Sequence, residues 1–139
     1  MKQIYKKILF ATDGSKTANR AAEKLIEFYK SWKCKLVIFH SIKHVCTFSV
    51  SLYNDIEKEG NRILKEAKKI FESAQIPVEI RLIKRYEPED YITSVVEKEN
   101  FDLVILGING FHSKFSRIII GSVAERVIKR AACDVLVVK

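Results

Sequence analysis

Gly107, Gly110, Gly121 and Ser122 are the residues whose type and spacing point most directly to chemistry. Gly107 and Gly110 follow the apolar run Leu103–Leu106. There a backbone can turn tightly and approach a ligand with no Cβ in the way. Gly121 and Ser122 open a stretch in which Val123, Ala124, Val127 and Ile128 form one apolar stripe at helical spacing. A strand that runs through a glycine loop into a helix N-terminus is a ready anion site, because unpaired N–H groups and the helix dipole both favour phosphate. Ser122 could offer its hydroxyl and N–H to a phosphate, or cap its helix, or do both. Lys114 and Arg117 lie inside the loop and could meet phosphates, Arg117 with the better bidentate grip, or they could be solvated loop cations. His112, in the same loop, reads as an exposed bystander.

These residues need elements to hold them. Ile8–Ala11 ends an apolar strand, and Asp13-Gly14-Ser15 follows as a turn with Ser15 as the N-cap of the next helix. That helix runs from about 16 to 32 and is expected to bury Ala18, Ala21, Ala22, Leu25, Ile26, Tyr29 and Trp32; its paired alanines imply a close approach to a sheet. Leu36–Phe39 is a second strand, left by His40-Ser41-Ile42 and a weakly patterned loop to about Ser51. Residues from Asp55 to Ala74 carry an amphipathic helix that Ile76-Pro77 stops. Residues 78–83 alternate Val78, Ile80 and Leu82 with Glu79 and Arg81, which places this strand at a sheet edge with one wetter face. Pro88 suits the first position of a third helix, and Glu87, Glu89 and Asp90 suit the positive end of its dipole. The last strand is Val135–Val138.

Strands alternating with helices at this spacing predict an α/β fold: an open, doubly wound, five-stranded parallel sheet with helices on both faces, in a single domain over residues 1–139. Only Lys139 follows the last strand, so that strand is expected to be a bare apolar edge. Such edges are usually paired or covered, and pairing with a second copy about a two-fold axis predicts a homodimer through residues 135–138.

Composition removes other classes. No apolar run approaches the ~20 residues of a membrane span, and the N-terminus has no signal-peptide core, so a cytoplasmic location is expected. Cys34, Cys46 and Cys133 share no CxxC spacing and read as thiols in a reducing compartment. His40 and His44 have no ligand partners at metal-binding spacing and read as structural or surface residues. Lys and Arg outnumber Asp and Glu by 25 to 17, a net charge of +8. The cations are interleaved with acids, as in Glu57-Lys58-Glu59, and accompany no nucleic-acid-binding signature, so a solvated basic surface is expected rather than a nucleic-acid partner.

Three segments resemble one family: ILFATDGS (Ile8–Ser15), the glycine loop, and GSVAERVIKRAACDVLVV (Gly121–Val138) look like a universal stress protein domain. The resemblance covers the whole chain and implies a sheet of order 3-2-1-4-5, dimerisation through strand five and, in one branch, ATP at the ends of strands one and four. In that branch the loop is a glycine, two residues, a glycine, nine residues, then glycine and serine or threonine. Gly107, Gly110, Gly121 and Ser122 fill the named positions, with ten residues, Phe111–Ile120, where nine are expected. The resemblance also implies that Asp13 lies near the nucleotide and that the backbone of Ser41 and Ile42 meets the adenine. A carboxylate beside a triphosphate calls for a bridging cation, so ATP would bring Mg²⁺ or Mn²⁺.

The expected function is an ATP-binding, regulatory stress-response dimer with little or no turnover and protein clients. The alternative is a dimer that binds no nucleotide and works through protein contacts. Weak ATP hydrolysis is the least favoured reading: Walker A, Gly-x-Ser-x-Gly and clustered zinc ligands are all missing from the sequence.

Overall fold

The structure is a computed structural model, and residues 2–42, 49–109 and 120–139 are described. Five strands and four helices alternate: β1 Lys7–Ala11, α1 Lys16–Trp32, β2 Lys35–Ile42, α2 Val50–Glu72, β3 Glu79–Lys84, α3 Pro88–Lys98, β4 Leu103–Gly107, α4 Ser122–Arg130 and β5 Asp134–Val138. They form one parallel sheet of order β3-β2-β1-β4-β5. This is the predicted order, with β3 at one edge and β5 at the other.

Strand alternation divides the interior into two cores. Ile8, Phe10, Leu36, Ile38, Leu103 and Ile105 face α1 and α2, against Ala18, Ala21, Leu25, Leu64 and Phe71. Leu9, Val37, Phe39, Val104 and Leu106 face α3 and α4, against Ile92, Val95, Val96, Ala124 and Val127. The central strands are therefore apolar on both faces, which is why their sequences do not alternate. The chain winds from β1 outward to β3 and then crosses to β4. Right-handed crossovers consequently put the first two helices on one face and the last two on the other.

Helix boundaries follow their caps. Ser15 accepts from the N–H of Ala18 at 3.2 Å, as its position before the helix predicts. α2 begins earlier than its apolar periodicity indicates. Ser49 caps it by accepting from Leu52 N–H at 3.1 Å, and Val50 and Leu52 in the first turn are exposed. A turn that buries no stripe leaves no periodic signal, so the pattern became visible only from Asp55. Two ion pairs tie α4 to α3: Arg126 Nη1 to Glu89 Oε1 at 2.6 Å and Arg130 Nη2 to Asp90 Oδ1 at 2.9 Å.

Candidate functional site

The C-terminal ends of β1, β2 and β4 open onto a cleft of about 520 Å³. It lies where the winding reverses, between β1 and β4. There the helices that follow neighbouring strands leave to opposite faces and a crevice remains between them.

One wall is the β1–α1 turn. Thr12 Oγ1 accepts from Gly14 N–H at 3.2 Å, and Asp13 Oδ1 accepts from Ser15 N–H at 2.9 Å. Gly14 has φ +78°, a conformation that favours glycine, and Ile63 of α2 lies 3.4 Å from where a Cβ would sit. Asp13 thus serves the turn and also lines the cleft. It is the only acid among the described lining residues, which include no Lys or Arg.

The opposite wall is the end of β4 and the start of α4. Ile108 N–H donates to Val138 O at 2.7 Å, and Gly121 N–H donates to Ile108 O at 2.6 Å. The chain that departs after Ile108 therefore returns to hydrogen-bond distance at Gly121, and the base of the glycine loop is closed. An extra residue within Phe111–Ile120 does not separate the two flanks. Thr17, in the first turn of α1, fastens the same base by donating its hydroxyl to Asn109 O at 2.7 Å.

Both described glycines of the loop have a packing reason. A Cβ on Gly107 would overlap the Thr17 hydroxyl and stand 2.9 Å from the Ala18 nitrogen. Glycine there admits α1 to the end of β4. A Cβ on Gly121 would stand 3.0 Å from Ile108 O and 3.1 Å from Asn109 Cα. Gly121 itself is the N-cap of α4 and has no side-chain acceptor to offer. Ser122 is the exposed first helical residue, so it does not cap its helix, one of the two roles its sequence position allowed. Among the described residues no side chain caps the first turn of α4, which lies beside the cleft that Gly121, Ser122 and Val123 line.

The β2 side is contributed by Phe39, His40 and Ser41. The Ser41 hydroxyl donates to the carbonyl of Tyr86. Ile42 is buried, and its side chain turns toward α2, where its Cγ2 lies 3.2 Å from a Cβ built on Gly60. Only its backbone remains for a ligand. Gly110, His112, Lys114 and Arg117 lie outside the described residues, as do His44 and Cys46. Among the described residues no group of three or more His, Cys, Asp or Glu is arranged to hold a metal ion.

Sequence reasoning missed Thr17 and the cleft-facing position of His40. Thr17 had a readable signal, since it stands four residues before Ala21 on the buried stripe of α1, where a hydroxyl needs a partner. His40 had none, because its partner comes from a neighbouring strand.

Comparison with known proteins agrees with this architecture. A family model described as the universal stress protein family matches residues 4–139. Universal stress protein MJ0531 of Methanocaldococcus jannaschii is 35% identical over 98% of this chain and 83% of its own length. The solved structure of MJ0577, from the same organism, superposes with a TM-score of 0.85 at 31% identity, covering 98% of this chain and 96% of that one. A universal stress protein solved in complex with cAMP has a TM-score of 0.70 at 26% identity, with 97% of each chain covered. Strand order, the crevice at the reversal of winding and a match over nearly the full length lead to one assignment: this chain belongs to the universal stress protein family.

Proposed function

We propose that the cleft binds an adenine nucleotide, with ATP and a bridging Mg²⁺ or Mn²⁺ as the working ligand, and that the protein acts as a regulatory stress-response dimer with little or no turnover. The observation that carries this reading is the uncapped N-terminus of α4 facing the Asp13 turn across one crevice. The N-terminal N–H groups and the dipole of α4 suit phosphate oxygens. The apolar side chains of Ala11, Phe39, Leu106 and Val123 suit the faces of a base. Asp13 would hold a divalent ion together with the phosphates, since hard cations take oxygen ligands and commonly share them with a nucleotide. The cAMP complex of a relative supports an adenine nucleotide as the ligand class.

β5 is a sheet edge with Val135, Leu136 and Val137 only half-buried, which supports pairing with a second copy. The same edge is the observation that favours the alternative, a dimer acting through protein contacts without nucleotide. No helix among the described residues is long and apolar enough to cross a membrane. Cys34 and Cys133 are free thiols, which fits a reducing cytoplasm.

Mass spectrometry of what co-purifies, followed by calorimetry with ATP and Mg²⁺, tests the reading. A dissociation constant near ~1 μM corresponds to about −8 kcal/mol and is easily measured. No bound nucleotide and no heat at millimolar ATP would sink it in favour of the alternative. Phosphate release by pure protein that vanishes in Asp13→Ala would instead establish hydrolysis.

A further inference from the structure

We propose that His40 is a positioning residue for the cleft: its imidazole holds the Thr12–Ser15 turn in the conformation that presents Asp13 to a ligand. The inference deepens the nucleotide-binding reading and rests on it for its affinity readout.

The ladder between β1 and β2 ends at Ala11 opposite Phe39. Thr12 N–H still reaches Phe39 O at 3.0 Å. Continuing the parallel pattern, the Thr12 carbonyl would next accept from Ser41 N–H. Instead it lies 2.8 Å from Nδ1 of the His40 ring. A carbonyl can only accept, so Nδ1 carries the proton and the neutral ring is the Nδ1–H tautomer. The side chain of β2 thus replaces a ladder bond where β1 must turn away.

The ring is itself confined. A Cβ on Gly60 of α2 would stand 3.2 Å from His40 Cδ2, so α2 is drawn against the imidazole at its glycine. The segment that the ring holds is the first residue of a turn with its own hydrogen bonds. His40 holds Thr12 O, Thr12 Oγ1 takes Gly14 N–H, and Asp13 Oδ1 takes Ser15 N–H. Thr12 is only 6% exposed, so its carbonyl would be left poorly served without the ring, and the turn would shift to find another donor. A preset turn spares a ligand the cost of ordering it.

The test uses the full chain in three forms: wild type, His40→Leu and His40→Asn. Amide hydrogen exchange is followed by NMR at Gly14 and Ser15, with Val104 and Ile105 as controls, and Mg²⁺·ATP affinity is measured by calorimetry. In His40→Leu, exchange at Gly14 and Ser15 should rise and affinity should fall, each about tenfold, as expected for one lost hydrogen bond. The controls should not move. His40→Asn places an amide N–H near the Nδ1 position and should restore most of both. Wild-type exchange at Gly14 and Ser15 in His40→Leu, or an Asn variant no better than Leu, overturns the proposal. Should the Leu variant fail to fold, long-range ¹⁵N spectra of the wild type still decide, because an Nε2–H tautomer at His40 rules the bond out. If the wild type binds no ATP, the nucleotide reading falls, and the exchange data alone judge the role of His40.

Discussion

A Cβ on Gly107 would stand 2.8 Å from the Cβ of Thr17 and overlap its hydroxyl, so the last residue of β4 and the first turn of α1 meet backbone to side chain. Gly107→Ala should therefore destabilise the protein by roughly 1–3 kcal/mol, the usual cost of overpacking. Thr17→Ala in the same chain should recover only part of this, because the Ala18 nitrogen remains 2.9 Å from the added Cβ. Denaturant titration of the two single variants and the double variant checks both statements. Unchanged stability in Gly107→Ala would mean that α1 can withdraw from β4.

Gly121 separates binding from folding less cleanly than a loop glycine would. Its Cβ would press on Ile108 O at 3.0 Å and Asn109 Cα at 3.1 Å, where the neighbour must yield by a few tenths of an ångström. Gly121→Ala should cost about 1 kcal/mol of stability, and Gly121→Val more. Both should lower ATP affinity by about tenfold or more, through displacement of the α4 N-terminus. Calorimetry beside thermal melts measures the two effects together. Retained affinity would relocate the nucleotide.

Glu89 is buried in the first turn of α3, and its Oε2 has no hydrogen-bond partner among the described residues; Oε1 depends on Arg126. Removing only the cation leaves a buried carboxylate unpaired, whereas removing both partners leaves an apolar contact. Arg126→Met should lower the thermal midpoint clearly, and adding Glu89→Leu should restore most of it. A double variant that melts below Arg126→Met would show that the carboxylate serves a partner other than Arg126.

Burial, with the Asp134 carboxylate adding to it, pushes the Cys133 thiol up to about 11 from an ordinary 9.0, and burial likewise raises Cys34. The native pKa lies above the unfolded one. The stability this contributes is therefore complete below pH 9 and is lost as pH rises toward about 11. At pH 8 iodoacetamide should label Cys34 and Cys133 at least about tenfold more slowly in the native protein than in denaturant, since the thiolate is the nucleophile. Peptide-level mass spectrometry reads each site. Equal rates in the two states would contradict the burial of these thiols.

Much of the fold was legible from periodicity and punctuation. The apolar run Leu103–Leu106 read as a doubly buried strand, Ser15 as a cap, Pro88 as a helix start, and the alternation around Arg81 as an edge; each is a local property of a few residues. The first turn of α2 was not legible, because Val50 is 80% exposed and only the Ser49 cap marks it. The candidate site was legible in part. The spacing of Gly107, Gly121 and Ser122 pointed to an anion loop, but the packing reason for Gly107 lies in Thr17 and Ala18, far away along the chain, and that for Gly121 in the opposite flank of its own loop.

What the sequence determined by itself is the alternation of elements and the choice of glycine at 107 and 121, since apolar spacing and the lack of a Cβ are written residue by residue. What only the tertiary structure decided is which distant groups meet. Thr17 reaches Asn109 O across 92 positions, and His40 reaches Thr12 O across 28. These bonds exist because the reversal of winding puts β1 between β2 and β4, bringing three strand ends around one crevice. Their energy depends on distances of a few ångströms, and no periodicity along the chain encodes such a distance.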